Sequence, residues 1–179
     1  LKVAIVDRHH ASKTIGIGFV RGFGLKKGAL AATTNCENQN LVMVGVGDRD
    51  LADAARAISE IGGGFVAVAE GNVLASVPLP IAGIMSDQRW EIVRRQSIAA
   101  NKVAADLGCA IHSPFMIMSF IGLAGVPDLG LTERGLINTA SQSFTNAVLG
   151  MRAGLVCCRC PDHVHDVHRL MDPSTYRAV

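Results

Sequence analysis

The fold is decided by residues 41–77, which read LVMVGVGDRDLADAARAISEIGGGFVAVAEGNVLASV. The first six residues, Leu41–Val46, form an apolar run, which predicts a strand buried on both faces. Apolar residues then recur at three- and four-residue spacing across Asp48–Ile61, which predicts a helix with one apolar face. We expect Asp48 or Asp50 to cap this helix, because an acid suits the positive end of the helix dipole.

A glycine run and a predicted hairpin complete this stretch. Gly62-Gly63-Gly64 follows the helix and is typical of a helix end, where a left-handed residue without a Cβ caps the last turn. Two β-prone runs, Phe65–Ala69 and Val73–Val77, flank the turn Glu70-Gly71-Asn72 and predict a β-hairpin.

Further strands are predicted upstream of this stretch. The apolar runs are Lys2–Asp7, Ile15–Phe23 and Gly28–Thr34. The turn Gly24–Gly28 joins the second run to the third, because glycines between apolar runs mark turns. The first half of the chain therefore consists mainly of short strands.

Downstream, the pattern predicts a second helix from Ser86 to near Gly108. Its apolar side is formed by Trp90, Val93, Ala100, Val103, Ala104 and Leu107. Pro114–Leu123 is apolar and fits either a helix or a strand, and Val126–Asn138 is predicted to be a glycine-containing loop. Together these elements predict an α+β fold: a mixed or mainly antiparallel sheet with two main helices packed on one of its faces.

Residues 1–138 and 139–179 differ in character. The chain has 179 residues, a length that suits about one domain with an additional tail. Clear periodicity stops after Asn138. We expect residues 1–138 to form the domain and 139–179 to be an unmatched tail, for which a disordered or lineage-specific extension and a frameshifted gene end stay open as alternatives.

The composition is unusually apolar for a free-standing domain. Apolar residues make up 49% of the chain and charged residues 18%, against about 25% charged in typical soluble domains. We expect a partner, or another part of the same polypeptide, to cover some of that surface. The chain opens on Leu1 and a strand begins at once, so we expect the C-terminal piece of a longer protein.

Charge, hydropathy and cysteine content argue against several classes of function. The formal net charge of +2 lacks the basic surplus of nucleic-acid-binding domains. The longest near-apolar stretch, Pro114–Pro127, is too short to span a membrane, and no secretory leader is visible. Five cysteines, an odd number, are typical of a reducing compartment. We expect a cytoplasmic protein that binds neither nucleic acid nor membrane.

Two polar stretches at predicted strand ends are candidate functional residues. His9 and His10 follow the first strand, where site residues often lie. Asn35-Cys36-Glu37-Asn38-Gln39-Asn40 is a polar island between two apolar strands, so its side chains are gathered at one end of the sheet. Glu37 is a candidate acid or base. A polar surface turn and an ordinary connection are the structural alternatives for the two stretches.

A cluster of cysteines and histidines in the tail is a weak candidate metal site. Thiolates and imidazoles are ligands that zinc prefers, and the candidate ligands are Cys157, Cys160, His163 and His165. All cysteines and histidines of this cluster lie within the twelve positions from Cys157 to His168, which is poor spacing for a structural metal site. We therefore expect a tail without a metal and keep metal binding as the alternative.

Several stretches, taken in order, carry a family resemblance. They are Val3–His10, Ile15–Ala29, Glu60–Gly64, Leu79–Asp87, Pro114–Met116 and Leu131–Ile137. Each stretch is weak alone, but in this order over residues 2–138 they resemble the C-terminal domain of bacterial adenine deaminase, a member of the amidohydrolase superfamily.

The resemblance implies a hydrolase that turns adenine and water into hypoxanthine and ammonia in purine salvage, by cleaving a cyclic amidine C–N bond. It implies a manganese or iron site in a TIM barrel upstream of this domain, where a metal supplies hydroxide at neutral pH. The implied partners are that barrel domain, adenine through the parent enzyme, and further copies in a homo-oligomer. No cofactor and no catalytic residue are expected in this chain, which packs on the barrel, helps to close its site and is inactive alone.

One loop departs from the family pattern. The family typically carries Ser/Ala-His-Asp-Ser-His-Asn where this chain has residues 35–40. Cys36 and Gln39 replace both histidines, whereas Glu37 keeps the acid and Asn40 the amide. We hypothesise that this change impairs the enzyme or alters its substrate. The pocket or interdomain candidates are His9, His10, Arg21, Cys36, Glu37, Gln39 and Asn40.

Two alternatives of other classes stay open. The first is a stand-alone, non-catalytic binding module derived from such a domain, and the second is a metal-binding protein that uses the tail. A gene that encodes a barrel upstream and in frame favours the deaminase domain. A native start codon near Leu1 favours the stand-alone binding module. A metal content of about one ion per chain favours the protein that binds metal through its tail.

Overall fold

The computed structural model of the chain describes residues 1–10, 12–125 and 128–146. The helices and strands of these residues are β1 (Lys2–Val6), β2 (Ile15–Phe19), β3 (Ala29–Ala32), β4 (Leu41–Gly45), α1 (Asp48–Glu60), β5 (Gly64–Ala69), β6 (Asn72–Pro78), α2 (Trp90–Asp106), α3 (Pro114–Ile121), β7 (Leu129–Thr132), β8 (Gly135–Asn138) and β9 (Ser143–Thr145). The predicted α+β class is confirmed. The described part contains no helix that is long and apolar enough to cross a membrane.

Six strands form the main sheet in the order β2-β1-β4-β3-β5-β6, and each neighbouring pair is antiparallel. The predicted hairpin is β5–β6. In contrast, β2 and β3 are not neighbours, because the segment between them crosses the C-terminal end of α2. In this segment Phe23 and Leu25 are buried. The Ala110 amide donates to the Phe23 carbonyl over 2.7 Å. The Lys26 amide donates to the Leu107 carbonyl over 2.9 Å.

The sheet is covered on both faces, so the prediction that the two main helices share a face was wrong. Leu30 and Ala32 belong to the apolar cluster that includes residues of α2 and α3. Ala29 and Ala31 belong to the cluster formed with α1. Because neighbouring residues of a strand point to opposite faces, α1 lies on the other side of the sheet. The uniform burial of β4 follows from this arrangement and confirms its prediction.

Helix α1 forms where it was predicted, but neither Asp48 nor Asp50 caps it. Gly47 occupies the N-cap position and no side chain bonds there. Asp48 instead pairs with the Lys2 ammonium at 2.5 Å, and Asp50 accepts from the Glu70 amide at 3.2 Å. The two acids connect the start of the helix to β1 and to the turn between β5 and β6.

Helix α2 begins at Trp90, not at Ser86, and its predicted apolar side is only partly correct. Within the helix only Ala100 and Ala104 are buried, whereas Trp90 is 70% exposed. The small alanines allow the C-terminal half of α2 to approach the sheet closely. Trp90 therefore lies on the surface and adds nothing to the core.

A second sheet replaces the loop predicted over Val126–Asn138. It has the order β7-β8-β9, so pairing continues beyond residue 138. Gly135, at φ +133°, supports the tight connection between β7 and β8. This sheet packs against β2, where a Cβ on Gly16 would overlap the Thr132 carbonyl. Pro114–Leu123, which the sequence left open, contains helix α3.

Candidate functional site

The polar loop and the end of β1 meet at one end of the main sheet. The β1–β4 register pairs Val6 with Leu41, so the residues after β1 lie beside those that precede β4. His9 Nε2 lies 2.8 Å from the Asn38 carbonyl oxygen. The sequence therefore predicted correctly that these polar side chains gather at one sheet end.

Two asparagines fix the inner side of this loop. Asn40 is 4% exposed, and its Nδ2 donates to Glu133 Oε2 over 3.1 Å. Asn35 is 1% exposed, and its Oδ1 accepts from the Glu37 amide over 3.2 Å. Both asparagines shape the loop, so neither amide is open to a ligand in this arrangement.

The outer side of the loop presents Cys36 and Glu37, which are both exposed. Helix α3 and the residues after it hold this side. The Cys36 thiol donates to Ser119 Oγ over 3.4 Å, and the Cys36 amide donates to the Ser119 carbonyl over 3.1 Å. The Ala124 amide donates to Glu37 Oε2 over 3.0 Å. The thiol is thus oriented by the Ser119 hydroxyl and the carboxylate by the Ala124 amide, and both remain accessible.

A second cluster surrounds Asp7. Its Oδ2 accepts from the Ser12 hydroxyl, and its Oδ1 accepts from the His9 amide over 3.0 Å and lies 3.4 Å from His10 Nδ1. The Ser12 hydrogen bond, helped by these donors, lowers the pKa of Asp7 from 3.8 to about 2. Asp7 is therefore an ionised acceptor, and it cannot serve as a general acid near neutral pH.

Arg21 does not join these residues. It follows β2, whose Phe19 pairs with Lys2 at the start of β1, whereas His9 and the loop lie at the end of β1. Arg21 therefore belongs to the opposite end of the sheet. His10 contacts Asp7 and lies beside the ring of His9, whereas Gln39 contributes its backbone carbonyl.

Arg8 was not among the predicted site residues, although it lies between Asp7 and His9. Its Nε donates to the Gln39 carbonyl over 2.6 Å, and its Nη2 donates to the Ala82 carbonyl over 2.5 Å. Burial lowers the pKa of Arg8 below its ordinary value. A polar residue at a strand end was the available signal, but Ala82 is far away in the sequence.

Exposed apolar side chains flank the polar loop on two sides. On the turn that Arg8 reaches they are Ile81, Ile84 and Met85, and on α3 they are Met116, Ile117 and Phe120. Their exposed fractions run from 40% at Ile84 to 62% at Met116. Contiguous exposed apolar groups with polar residues beside them are typical of interaction surfaces.

The described residues do not fit a metal ion. Over 1–10, 12–125 and 128–146, no three histidine, cysteine, aspartate or glutamate side chains form a group that could hold one. The tail candidates Cys157, Cys160, His163 and His165 lie outside those ranges. The described residues therefore contain no candidate metal centre.

Comparisons with known proteins place the chain in a family. The family model described as "Adenine deaminase C-terminal domain" matches residues 1–143. An adenine deaminase of Moorella thermoacetica is 46% identical over 149 residues, which are 83% of this chain and 25% of the relative. One of Brucella melitensis is 44% identical over 144 residues, 80% of this chain and 25% of the relative. The chain thus spans about a quarter of the length of these relatives, and it belongs to the adenine deaminase C-terminal domain family.

Proposed function

We propose that this chain is the C-terminal domain of an adenine deaminase, which hydrolyses adenine to hypoxanthine and ammonia. In this proposal the domain packs on a metal-dependent barrel carried by the rest of the polypeptide and helps to close the substrate pocket. The observation that carries the proposal is the accessible pair Cys36 and Glu37, presented at one sheet end between two groups of exposed apolar side chains.

The apolar groups supply the packing surface of this proposal. The relatives have about three quarters of their length outside the matched region, which provides a covering domain in the same polypeptide. Burying Met116, Ile117 and Phe120 against it is favourable, by about 25 cal/mol for each Å² of apolar surface removed from water. The loop is tied to α3 through Ser119, so packing on α3 brings Cys36 and Glu37 to the same interface.

Glu37 supplies the chemistry that the loop can offer to a purine. Its carboxylate accepts hydrogen bonds, and adenine presents an exocyclic amine as a donor. The Ala124 amide fixes Oε2, so the direction of the carboxylate is set before a ligand arrives. The loop orients a substrate in this proposal, whereas the manganese or iron implied by the resemblance would be held by the barrel and would supply hydroxide at neutral pH.

The proposal includes the setting of the enzyme. We place it in purine salvage, as the family resemblance implies, and we expect a cytoplasmic homo-oligomer. The odd cysteine count supports a reducing compartment.

The direct test compares two proteins for ammonia release from adenine with added manganese. One is the full-length polypeptide that contains this chain, and the other is the 179-residue chain alone. We expect turnover by the full-length enzyme only. Turnover by the isolated chain, with controls for contaminating enzyme, contradicts the proposal, and so does a full-length enzyme that leaves adenine intact.

A pair of variants tests the packing surface. Phe120→Asp in the full-length enzyme puts a charge into the proposed interface, and we expect a large loss of activity and of resistance to proteolysis between the domains. Val73→Asp is the matched control, because Val73 is 54% exposed on β6 and lies outside the proposed surface. Equal effects of the two substitutions contradict this interface.

A further inference from the structure

Arg8 connects two segments that are distant in sequence. Its Nε donates to the Gln39 carbonyl over 2.6 Å, and its Nη2 donates over 2.5 Å to that of Ala82, 74 residues further along the chain. The guanidinium is planar, with its donors in a rigid fork. One side chain therefore fixes the relative position of the two carbonyls.

Both carbonyls belong to residues with unusual backbone geometry. Gln39 has φ +51° and Ala82 has φ +56°. Residues other than glycine rarely adopt this left-handed region, and they keep it only where the surroundings hold it. The two strained residues share one donor group, so the guanidinium is placed to hold both conformations.

The turn leaves a space for the guanidinium. A Cβ on Gly83 would lie 2.6 Å from Arg8 Nη2 and 2.8 Å from Nη1, so only glycine allows this approach. The Gly83 carbonyl also accepts from the buried Thr33 hydroxyl over 2.5 Å. The turn is thus anchored to the sheet by Thr33 and to the loop by Arg8.

We propose that Arg8 is a positioning residue that holds the loop Cys36–Asn40 and the turn Ile81–Met85 in one arrangement. The turn carries exposed Ile81, Ile84 and Met85. Contact between these side chains and the rest of the enzyme is therefore transmitted through Arg8 to Gln39, in the loop that carries Cys36 and Glu37. This consequence rests on the proposed function, whereas the connection through Arg8 does not.

Amide hydrogen exchange of the complete 179-residue chain tests the connection, because exchange reports local opening. Arg8→Gln removes charge-assisted bonds to both segments. We expect exchange to rise by about tenfold or more in the loop and by a smaller factor in the turn, where Thr33 remains. Exchange in the β5–β6 hairpin should be unchanged. If the exchange rate of either the loop or the turn in Arg8→Gln equals that of the wild type, the proposal is overturned.

Two further variants keep the test decisive. Arg8→Lys retains the charge but loses the fork, so we expect faster exchange in both segments than in the wild type, even if Arg8→Gln fails to fold. Arg21→Gln is the matched control, because Arg21 is an exposed arginine at the opposite end of the sheet, and it should leave both segments unchanged. An Arg8→Lys chain with wild-type exchange overturns the proposal.

Activity of the full-length enzyme separates the two hypotheses. With adenine as substrate, we expect Arg8→Lys to raise KM severalfold while kcat changes less, because a misplaced loop weakens substrate binding before it affects the chemistry. If the wild-type enzyme does not turn over adenine, the proposed function is wrong, and the exchange measurement alone still decides the role of Arg8.

Discussion

Asn40 Nδ2 donates to Glu133 Oε2 over 3.1 Å, and this bond ties the loop of the main sheet to the turn between β7 and β8. Asn40 is buried, and its side chain also accepts from the Arg8 amide at 3.5 Å. The second sheet therefore takes part in fixing the candidate site, although the two sheets have no strand in common.

Asn40→Asp should destabilise the protein near neutral pH. The substitution puts a second carboxylate against Glu133 in a buried position, where like charges and lost hydrogen bonds cost about 2 kcal/mol or more. Protonation in acid relieves the repulsion, so the loss should shrink as the pH falls towards about 4.5. Urea unfolding at several pH values measures this difference.

Glu133→Gln provides the control for that prediction. Combined with Asn40→Asp, it restores an amide–carboxylate pair with the roles exchanged, and we expect most of the lost stability to return. If Asn40→Asp lowers the free energy of unfolding equally with and without Glu133→Gln, the two side chains do not interact directly.

The low pKa of Asp7 should make stability depend on pH in acid. Its pKa is lowered from 3.8 to about 2, chiefly by the Ser12 hydroxyl. The ionised carboxylate therefore stabilises the folded protein, and this stabilisation is fully present at pH values above the pKa of Asp7 in the unfolded chain. That contribution is lost as the pH falls from about 4 towards about 2. Between about pH 4 and about pH 2 we expect the free energy of unfolding to fall less in Asp7→Asn than in the wild type. The control Asp87→Asn removes an exposed carboxylate, and its free energy of unfolding should fall as much as that of the wild type.

Gly122→Ala should destabilise the contact between α3 and the loop. A Cβ at Gly122 would overlap Nδ2 of the buried Asn35, and forced shifts in packed regions cost about 1–3 kcal/mol. Gly125→Ala is the matched control, because no other atom of the described residues lies within 4 Å of a Cβ there and the expected change is within about 0.5 kcal/mol. Thermal unfolding compares the two, and similar melting temperatures contradict the described contact.

Restoring the two family histidines should raise activity if the loop lines the substrate pocket. In the full-length enzyme we expect Cys36→His with Gln39→His to raise kcat/KM for adenine by about tenfold or more, because positioned histidines assist proton transfer. Gln39 has φ +51°, which histidine tolerates better than most residues. Gln88→His, on an exposed turn, is the control, and an unchanged kcat/KM in the double variant contradicts the role of the loop.

Local sequence patterns predicted the local elements well. Leu51, Ala54, Ala55 and Ile58 recur with the helical period, and α1 follows them. The second sheet escaped prediction because β7 and β8 have four residues each, too few for a clear alternation. The faces of the helices also escaped, since an apolar run such as β4 shows burial on both sides without showing which helix covers which side.

The candidate site was predictable only where it depends on neighbouring strands. His9 and the loop come together because β1 and β4 pair. The contact of Arg8 with Ala82 depends instead on a turn that follows β6 at the far edge of the sheet. No pattern around Asp7 and Arg8 indicates a partner so distant in sequence.

The strand order also affects how the chain folds during synthesis. β1 pairs with β4, and β3 pairs with both β4 and β5, so the middle of the sheet is closed only when β5 has been made. We expect a nascent chain that ends before Gly64 to leave one edge of β3 unpaired, and such edges recruit other strands. We therefore expect the sheet to close only after β5 has left the ribosome.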